Sequence, residues 1–495
     1  MSEAIYSTSA LGHRQSSFRI AGMAPPGHRG EGNPSMPRTP KLVDVAQFYL
    51  DTMRPDHRAQ LERAAARATA EGRPLRIGTA CSGTESPIVA FRAVARVLPG
   101  LTFEHVFSCE VCPKKRAWIY DNFDVPLVFH DIRRYINNYI NTSMQKQIKH
   151  RICSFSNKYK YKKSTHESVV IKIGRDLCNE FAFDAKSGEF RAVPAVDIFI
   201  AGFVCKSVSS QNQLRCLAKD CIRAGSGLTG GTFKGVVDYV LEKKPAVVIL
   251  ENVIGLTSSN QGGRAVINDV ADKFTEIDYA FAYRLLNTSS YLLPHRRNRC
   301  WMWAFRGRQN QVAVERAADM TCGLAQERFW TMSELFCKVG AAPMMPPKSC
   351  LKREMKVLSG VVEKVKKKRK VKATHKSCGI RRLVVDVGQS ESRAGHFCVD
   401  GAAPCLLPNS KILVRRGMKI LSVQELMALQ GIFKADFPTL DNWAQDKKTL
   451  SRDLTGNAFS TTTCLAVALG AIAEGPLGNL ANDPPRDSSF RTQSS

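Results

Sequence analysis

The 495 residues, 44% of them hydrophobic and 23% charged, supply enough apolar material for a packed core and exclude a wholly disordered chain. No apolar run approaches the ~18 residues of a membrane span, and the polar N-terminus lacks a signal segment, so the expectation is a cytosolic or nuclear chain with no membrane partner. Seventy-two Lys and Arg against 44 Asp and Glu leave a net charge of +28, which attracts polyanions and makes nucleic acid the leading partner.

Residues 1–42, rich in Gly, Pro and Ser, read as a disordered leader. From Val43 to Glu71 apolar residues (Val45, Phe48, Tyr49, Met53, Leu61, Ala65) recur near helical spacing, with a break at Pro55. Leu75 to Ala80 predicts a strand, Cys81 to Pro87 a turn, and Ile88 to Val97 a helix. Phe103 to Cys109 is a weaker strand, interrupted by Glu104 and His105. Asn138 to Arg175 carries nine basic residues and one acid. It marks a basic insertion over 138–185, read equally well as a solvated loop or a nucleic-acid contact. Val196 to Ala201 and Ala246 to Leu250 are continuous apolar runs, as expected of strands buried on both faces. Lys348 to Arg382 adds fourteen basic residues and two acids. Strands alternating with helix-length segments predict an α/β fold with a doubly wound, mostly parallel sheet. The sixteen cysteines are scattered. Cys109 and Cys112 have CxxC spacing but no second pair, so no metal site is expected.

Several strand ends carry chemistry. The turn Thr79-Ala80-Cys81-Ser82-Gly83-Thr84 is built of small residues, and Glu110 ends the following strand, where a doubly wound sheet normally holds a ribose. Asp131 closes Val128 to Ile132. The strand through Ala201 leads through Gly202-Phe203-Val204 to Cys205, a candidate nucleophile, and the strand after Pro245 ends in Glu251-Asn252-Val253. Pro294-His295-Arg296-Arg297-Asn298-Arg299 precedes an apolar strand, on which Arg297 and Arg299 would share a face.

In this order the motifs resemble those of the DNA (cytosine-5) methyltransferases, including a Glu-x-x-x-Leu-Gln-Gly segment at Glu425 to Gly431 and a Gly-Asn-Ala helix start at Gly456 to Ala458. The resemblance covers about residues 75–305 and 405–473. It implies a Rossmann-like, S-adenosylmethionine-dependent fold with a small target-recognition region, acting on DNA in the nucleus. It assigns catalysis to Cys205, Glu251, Arg297 and Arg299. It assigns the cofactor to Cys81, Ser82, Gly83, Thr84, Glu85, Glu110, Asp131, Asn457 and Ala458, with no metal. The implied organisation is a core over 43–306, a target-recognition region with a basic arm over 307–410, a return to the core over 411–475, and a disordered tail over 476–495. Within that arm, Lys366 to Lys370 reads as a nuclear address or a phosphate-binding run.

The sequence also departs from the family pattern. Val204 replaces a proline, Lys206 and His295 replace glutamines, Gln424 replaces an arginine, and Glu85 and Ser86 replace glycines. Two further readings therefore stand beside the first: an RNA (tRNA) cytosine-5 methyltransferase, and an inactive nucleic-acid-binding regulator.

Overall fold

Short runs of Val, Ile and Phe build the centre of the molecule, because a strand buried on both faces needs apolar side chains at successive positions. The computed structural model describes residues 36–132, 136–137, 181–209, 220–259, 263–339, 352–370, 382–390, 395–416, 418–446 and 448–477. Two helices, α1 (Leu42–Thr52) and α2 (Pro55–Ala70), precede β1 (Leu75–Ala80), α3 (Ser86–Val97), β2 (Phe103–Cys109), α4 (Pro113–Asn122) and β3 (Leu127–Phe129). Then come β4 (Ile136–Asn137), β5 (Phe181–Asp184), β6 (Glu189–Ala192), β7 (Ile198–Ala201), α5 (Cys221–Ala224), α6 (Gly227–Lys243) and β8 (Val247–Val253). After α7 (Val266–Glu276), β9 (Tyr279–Asn287) and β10 (Asn298–Arg306) complete a ten-stranded sheet of order β4-β5-β3-β2-β1-β7-β8-β10-β9, with β6 paired to β5.

The five central strands, β3-β2-β1-β7-β8, are parallel, and the strands on both flanks are antiparallel. Side chains alternate between the two faces. Trp301, Trp303 and Phe305 join one buried cluster with α1, α3 and the C-terminal helix, whereas Cys300, Met302 and Ala304 join the other with Phe233, Val270 and Phe274. The β1–α3–β2 order brings the turn after β1 beside the end of β2. Cys205, after β7, and Glu251, on β8, lie at the same carboxyl edge.

Four expectations are corrected. Residues 36–42 are not leader: Pro37 is buried and its carbonyl accepts from Trp330 Nε1 at 3.1 Å, and Leu42 already starts α1. The rest of the leader and nearly all of the tail lie outside the described residues, as does 138–180 of the basic insertion. Its last residues, Phe181 to Asp184, form β5.

The stretch expected to form one region over 307–410 divides differently in the structure. Helices α8 (Gln311–Gly323) and α9 (Met332–Val339) contribute Val314, Ala317 and Leu335 to the main core, as does Trp330 between them, so this stretch packs with the main sheet and not apart from it. A separate four-stranded sheet, β12-β11-β13-β14, is made from β11 (Val384–Asp386), β12 (Phe397–Cys398), β13 (Ile412–Val414) and β14 (Lys419–Ile420). Val385 and Leu413 face helix α10 (Lys352–Lys370) through Val357, Val361 and Val365, while Val384 and Ile412 face the main core. The basic run Lys366 to Lys370 therefore ends a 19-residue helix and is not an arm.

The chain returns through α11 (Val423–Ala428), α12 (Leu440–Asp446), α13 (Lys448–Asn457) and α14 (Thr461–Glu474). Gly456 and Asn457 close α13 instead of opening an apolar helix, and α14 starts only at Thr461. That helix is buried from Thr461 to Ala473, and a Cβ on Gly470 would run into the Ala317 carbonyl of α8.

Candidate active site

The loop after β7 carries Cys205 and is tied down through its backbone. Val204 N–H donates to Thr232 Oγ1 at 3.2 Å, Ser207 N–H donates to Thr229 Oγ1 at 3.0 Å, and Asn252 Nδ2 donates to Phe203 O at 2.9 Å. The first of these explains a departure, since valine has the N–H that a proline lacks and α6 supplies a hydroxyl to receive it. Lys206 is exposed beside it. A Cβ on Gly202 would fall 2.6 Å from the Phe459 ring, and one on Gly255 would overlap the Val208 carbonyl. Both glycines let the loop lie close against its neighbours.

Glu251 is buried, and its Oε1 pairs with Arg299 Nε at 3.0 Å across the β8–β10 pairing. Burial pushes its carboxyl up from the usual carboxylate range, against the pull of Arg299 and Arg297. Burial also pushes the Cys205 thiol up; Arg299 and Arg297 oppose this while Glu251 reinforces it. The cysteine, the carboxyl and the guanidinium thus form one electrostatic unit.

Arg297 departs from expectation. It lies before β10 and does not share a strand face with Arg299. Its Nη1 donates to Gly456 O at 3.1 Å and its Nη2 to Ala458 O at 2.8 Å. It holds the α13–α14 link. His295 does similar work, with Leu406 N–H donating to Nε2 and Nδ1 facing Leu429 O, both at 3.1 Å. Burial and the two arginines hold its pKa well below the usual range, so the ring is neutral and offers one acceptor and one donor. An amide side chain could make the same pair of bonds, which accounts for histidine in a glutamine's place.

The turn after β1 is held mostly by backbone. Cys81, Gly83 and Glu85 have φ of +53°, +57° and +54°. For the two non-glycines this left-handed conformation costs roughly 1 to 2 kcal/mol each. Ser82 offsets it by exchanging bonds with the Cys109 backbone, Ser82 N–H to Cys109 O at 3.3 Å and Cys109 N–H to Ser82 Oγ at 3.2 Å. Trp118 Nε1 donates to Thr84 O at 3.1 Å from beneath, and Thr84 Oγ1 meets Ser86 Oγ at 2.8 Å.

Glu110 accepts Gly83 N–H at 3.0 Å and Cys112 N–H at 2.9 Å, one on each carboxylate oxygen. The Glu85 side chain does not reach the ligand side of the turn. It is fully buried and accepts from Thr79 Oγ1 at 2.6 Å and Ser108 Oγ at 2.5 Å, and burial pushes its pKa up to about 7. In place of the pattern's glycine, Glu85 adopts a left-handed conformation while its carboxyl bonds the two strands behind it.

Asp131 is buried just after β3; burial pushes the Cys109 thiol up, and the nearby Asp131 charge adds to that rise. Asn457 is exposed and donates to Asp453 O and Oδ1 at 3.1 and 3.0 Å; Asp453 also pairs with Lys115 of α4 at 3.2 Å. This helix end therefore lies against the helix that follows Glu110.

The model of the family described as C-5 cytosine-specific DNA methylase matches residues 159–470. Over 238 residues the chain is 32% identical to the DNA (cytosine-5-)-methyltransferase DMT5 of Cryptococcus neoformans, covering 47% of this chain and 8% of that protein. It is 31% identical over 120 residues to the type II methyltransferase M.HhaI of Haemophilus parahaemolyticus, covering 24% of this chain and 34% of that one. The chain thus spans much less than two thirds of either relative. Among solved structures, the S. pombe Dnmt2 methyltransferase aligns over 81% of this chain and 98% of its own, at 10% identity and a TM-score of 0.42.

Proposed function

The chain belongs to the C-5 cytosine-specific DNA methylase family, and on that premise we propose that it methylates C5 of cytosine in DNA through a covalent bond from Cys205 to C6. The observation that carries this reading is the convergence of Cys205, Glu251 and Arg299 at one sheet edge, with Glu251 and Arg299 3.0 Å apart. Cytosine C5 is a poor nucleophile until a thiolate adds at C6 and pushes electron density onto the C5 side of the ring. Burial favours the protonated form of Glu251, and in that form the carboxyl donates a hydrogen bond to N3, which stabilises the ring as the thiolate adds. Arg299 orients that carboxyl. The C5 proton then leaves to a base, the Cys205–C6 bond breaks, and the ring regains its aromaticity. The base must leave the duplex stack for Cys205 to reach it.

The turn fits S-adenosylmethionine. Each Glu110 oxygen receives one backbone N–H and keeps a lone pair for a ribose hydroxyl. Asp131 would take the adenine amine, Cys81 to Thr84 would border the methionine portion, and Asn457 and Ala458 would close the side toward α4. When bound, the cofactor supplies an electrophilic methyl group.

Incubation with labelled S-adenosylmethionine and either DNA or tRNA, followed by digestion, tests the reading. Labelled 5-methylcytosine from DNA is expected. Label confined to tRNA, or no label with either, would overturn it. Lys366 to Lys370, at the end of α10, reads as a nuclear address more than a phosphate groove: neutralising all five should move a tagged protein to the cytoplasm and barely change the salt dependence of DNA binding.

A further inference from the structure

Arg299 has three partners for its three nitrogens. Its Nε meets Glu251 Oε1 at 3.0 Å, its Nη1 donates to the Asn298 carbonyl at 2.7 Å, and its Nη2 donates to the sulfur of Cys405 at 3.8 Å. The first two partners belong to the paired strands β8 and β10. The third comes from more than a hundred residues away, in the segment that links β12 to β13 of the small four-stranded sheet.

That segment is clamped where it passes. Ala403 N–H donates to Pro294 O at 2.7 Å, Arg296 N–H donates to Ala403 O at 2.8 Å, Arg296 is salt-bridged to Asp400, and Leu406 N–H donates to His295 at 3.1 Å. Two residues beyond Ala403, Cys405 is thereby delivered against Arg299. A cysteine that served only as a small apolar filler would sit among apolar neighbours. This one faces two guanidinium groups, and Arg299 and Arg297 draw its thiol below the usual range in spite of burial.

We propose that Cys405 is a positioning residue of the base site, whose sulfur holds one arm of Arg299 so that the guanidinium stays oriented on Glu251. The proposal rests on the reading of Glu251 and Arg299 as base-site residues. It makes the β12–β13 connection of the small sheet part of what sets the catalytic carboxyl, so that displacing this segment would loosen Arg299 even with Cys205 untouched.

The test is steady-state methyl transfer to DNA by Cys405→Ala, Cys405→Ser and Arg299→Lys, and by the Cys405→Ala/Arg299→Lys double variant. Cys405→Ala should lower kcat about tenfold, the range for a hydrogen bond to a charged group, while KM for DNA and the affinity for S-adenosylmethionine stay within about twofold. Cys405→Ser, which keeps an acceptor, should recover most of that loss. The double variant should be no slower than Arg299→Lys alone, because the sulfur acts only through the guanidinium.

Should Cys405→Ala fail to fold, the near-isosteric Cys405→Val takes its place with the same expected kcat. Wild-type rates in the Ala variant, a serine variant as slow as alanine, or effects that multiply in the double variant would each overturn the proposal. In all of these the parent protein still methylates cytosine. A parent that methylates none would instead remove the underlying reading, and the proposal with it.

Discussion

Two carboxylates stand at the carboxyl edge of the same parallel sheet and are held by different means. Glu251 is paired with a side chain, Arg299, which comes from the antiparallel neighbour β10. Glu110 is held by backbone N–H groups of Gly83 and Cys112. The difference explains which parts of the sequence could drift. A site made of side chains fixes residue types, and Cys205, Glu251 and Arg299 match the family pattern. A site made of backbone fixes only conformation, and here Cys81 and Glu85 adopt φ near +54° where glycine would have done so without cost.

The sharpest way to break the comparison is Cys205→Ala. It should lower methyl transfer at least about a thousandfold, because no other group replaces the nucleophile, and leave cofactor affinity unchanged by calorimetry. Retained transfer would remove Cys205 from its role.

Next in size is Glu251→Ala. It should lower kcat by about 10²- to 10³-fold, as the loss of a preorganised donor does, again with cofactor affinity unchanged. It also sharpens the pH dependence. The active form needs Cys205 ionised and Glu251 protonated, and burial raises both pKa values. The rate should rise with pH as the thiol ionises and fall as the carboxyl does. The falling limb should vanish in Glu251→Ala, and its persistence would assign that limb to another group.

Glu110→Ala should behave in the opposite way. Charge-assisted bonds are worth about 1.5 to 3 kcal/mol each, so cofactor affinity should drop at least about tenfold while kcat at saturating cofactor changes little. Unchanged affinity would mean that the end of β2 does not meet the cofactor.

These expectations also show what the sequence could and could not tell. Leu75 to Ala80 and Ala246 to Leu250 were legible because strands buried on both faces are continuously apolar, and Cys205 and Glu251 were legible because they follow such runs directly. What supports them was not. Thr232 lies 28 residues from Val204, Phe459 packs on Gly202 from the far end of the chain, and His295 bridges Leu406 and Leu429. These are contacts made only by the folded chain, and no local spacing announces them. The i, i+2 spacing of Arg297 and Arg299 misled because β10 begins between them, at Asn298. Gly255, where a Cβ would overlap the Val208 carbonyl, is a local trace of that packing.

A separate effect, on stability and not on turnover, is expected behind the cofactor turn. Burial raises Glu85 from its ordinary 4.5 to about 7. A carboxyl whose folded pKa lies above its unfolded value binds its proton more tightly when folded. Its contribution is therefore full below about pH 4.5 and is lost as pH rises through 7, by roughly 3 kcal/mol. Glu85→Gln should flatten the unfolding free energy over that window in denaturant titrations. A slope equal to that of the parent protein would place the proton elsewhere.

The central claim, a covalent Cys205 adduct on the target base, is tested most directly with DNA carrying 5-fluorocytosine in the presence of S-adenosylmethionine. Fluorine cannot leave as a proton, so elimination stalls after methyl transfer. The account predicts a complex that survives denaturation, with mass spectrometry locating the bond on Cys205. Normal methylation of unmodified DNA with no trapped complex, or a trap on another thiol such as Cys405, would contradict it.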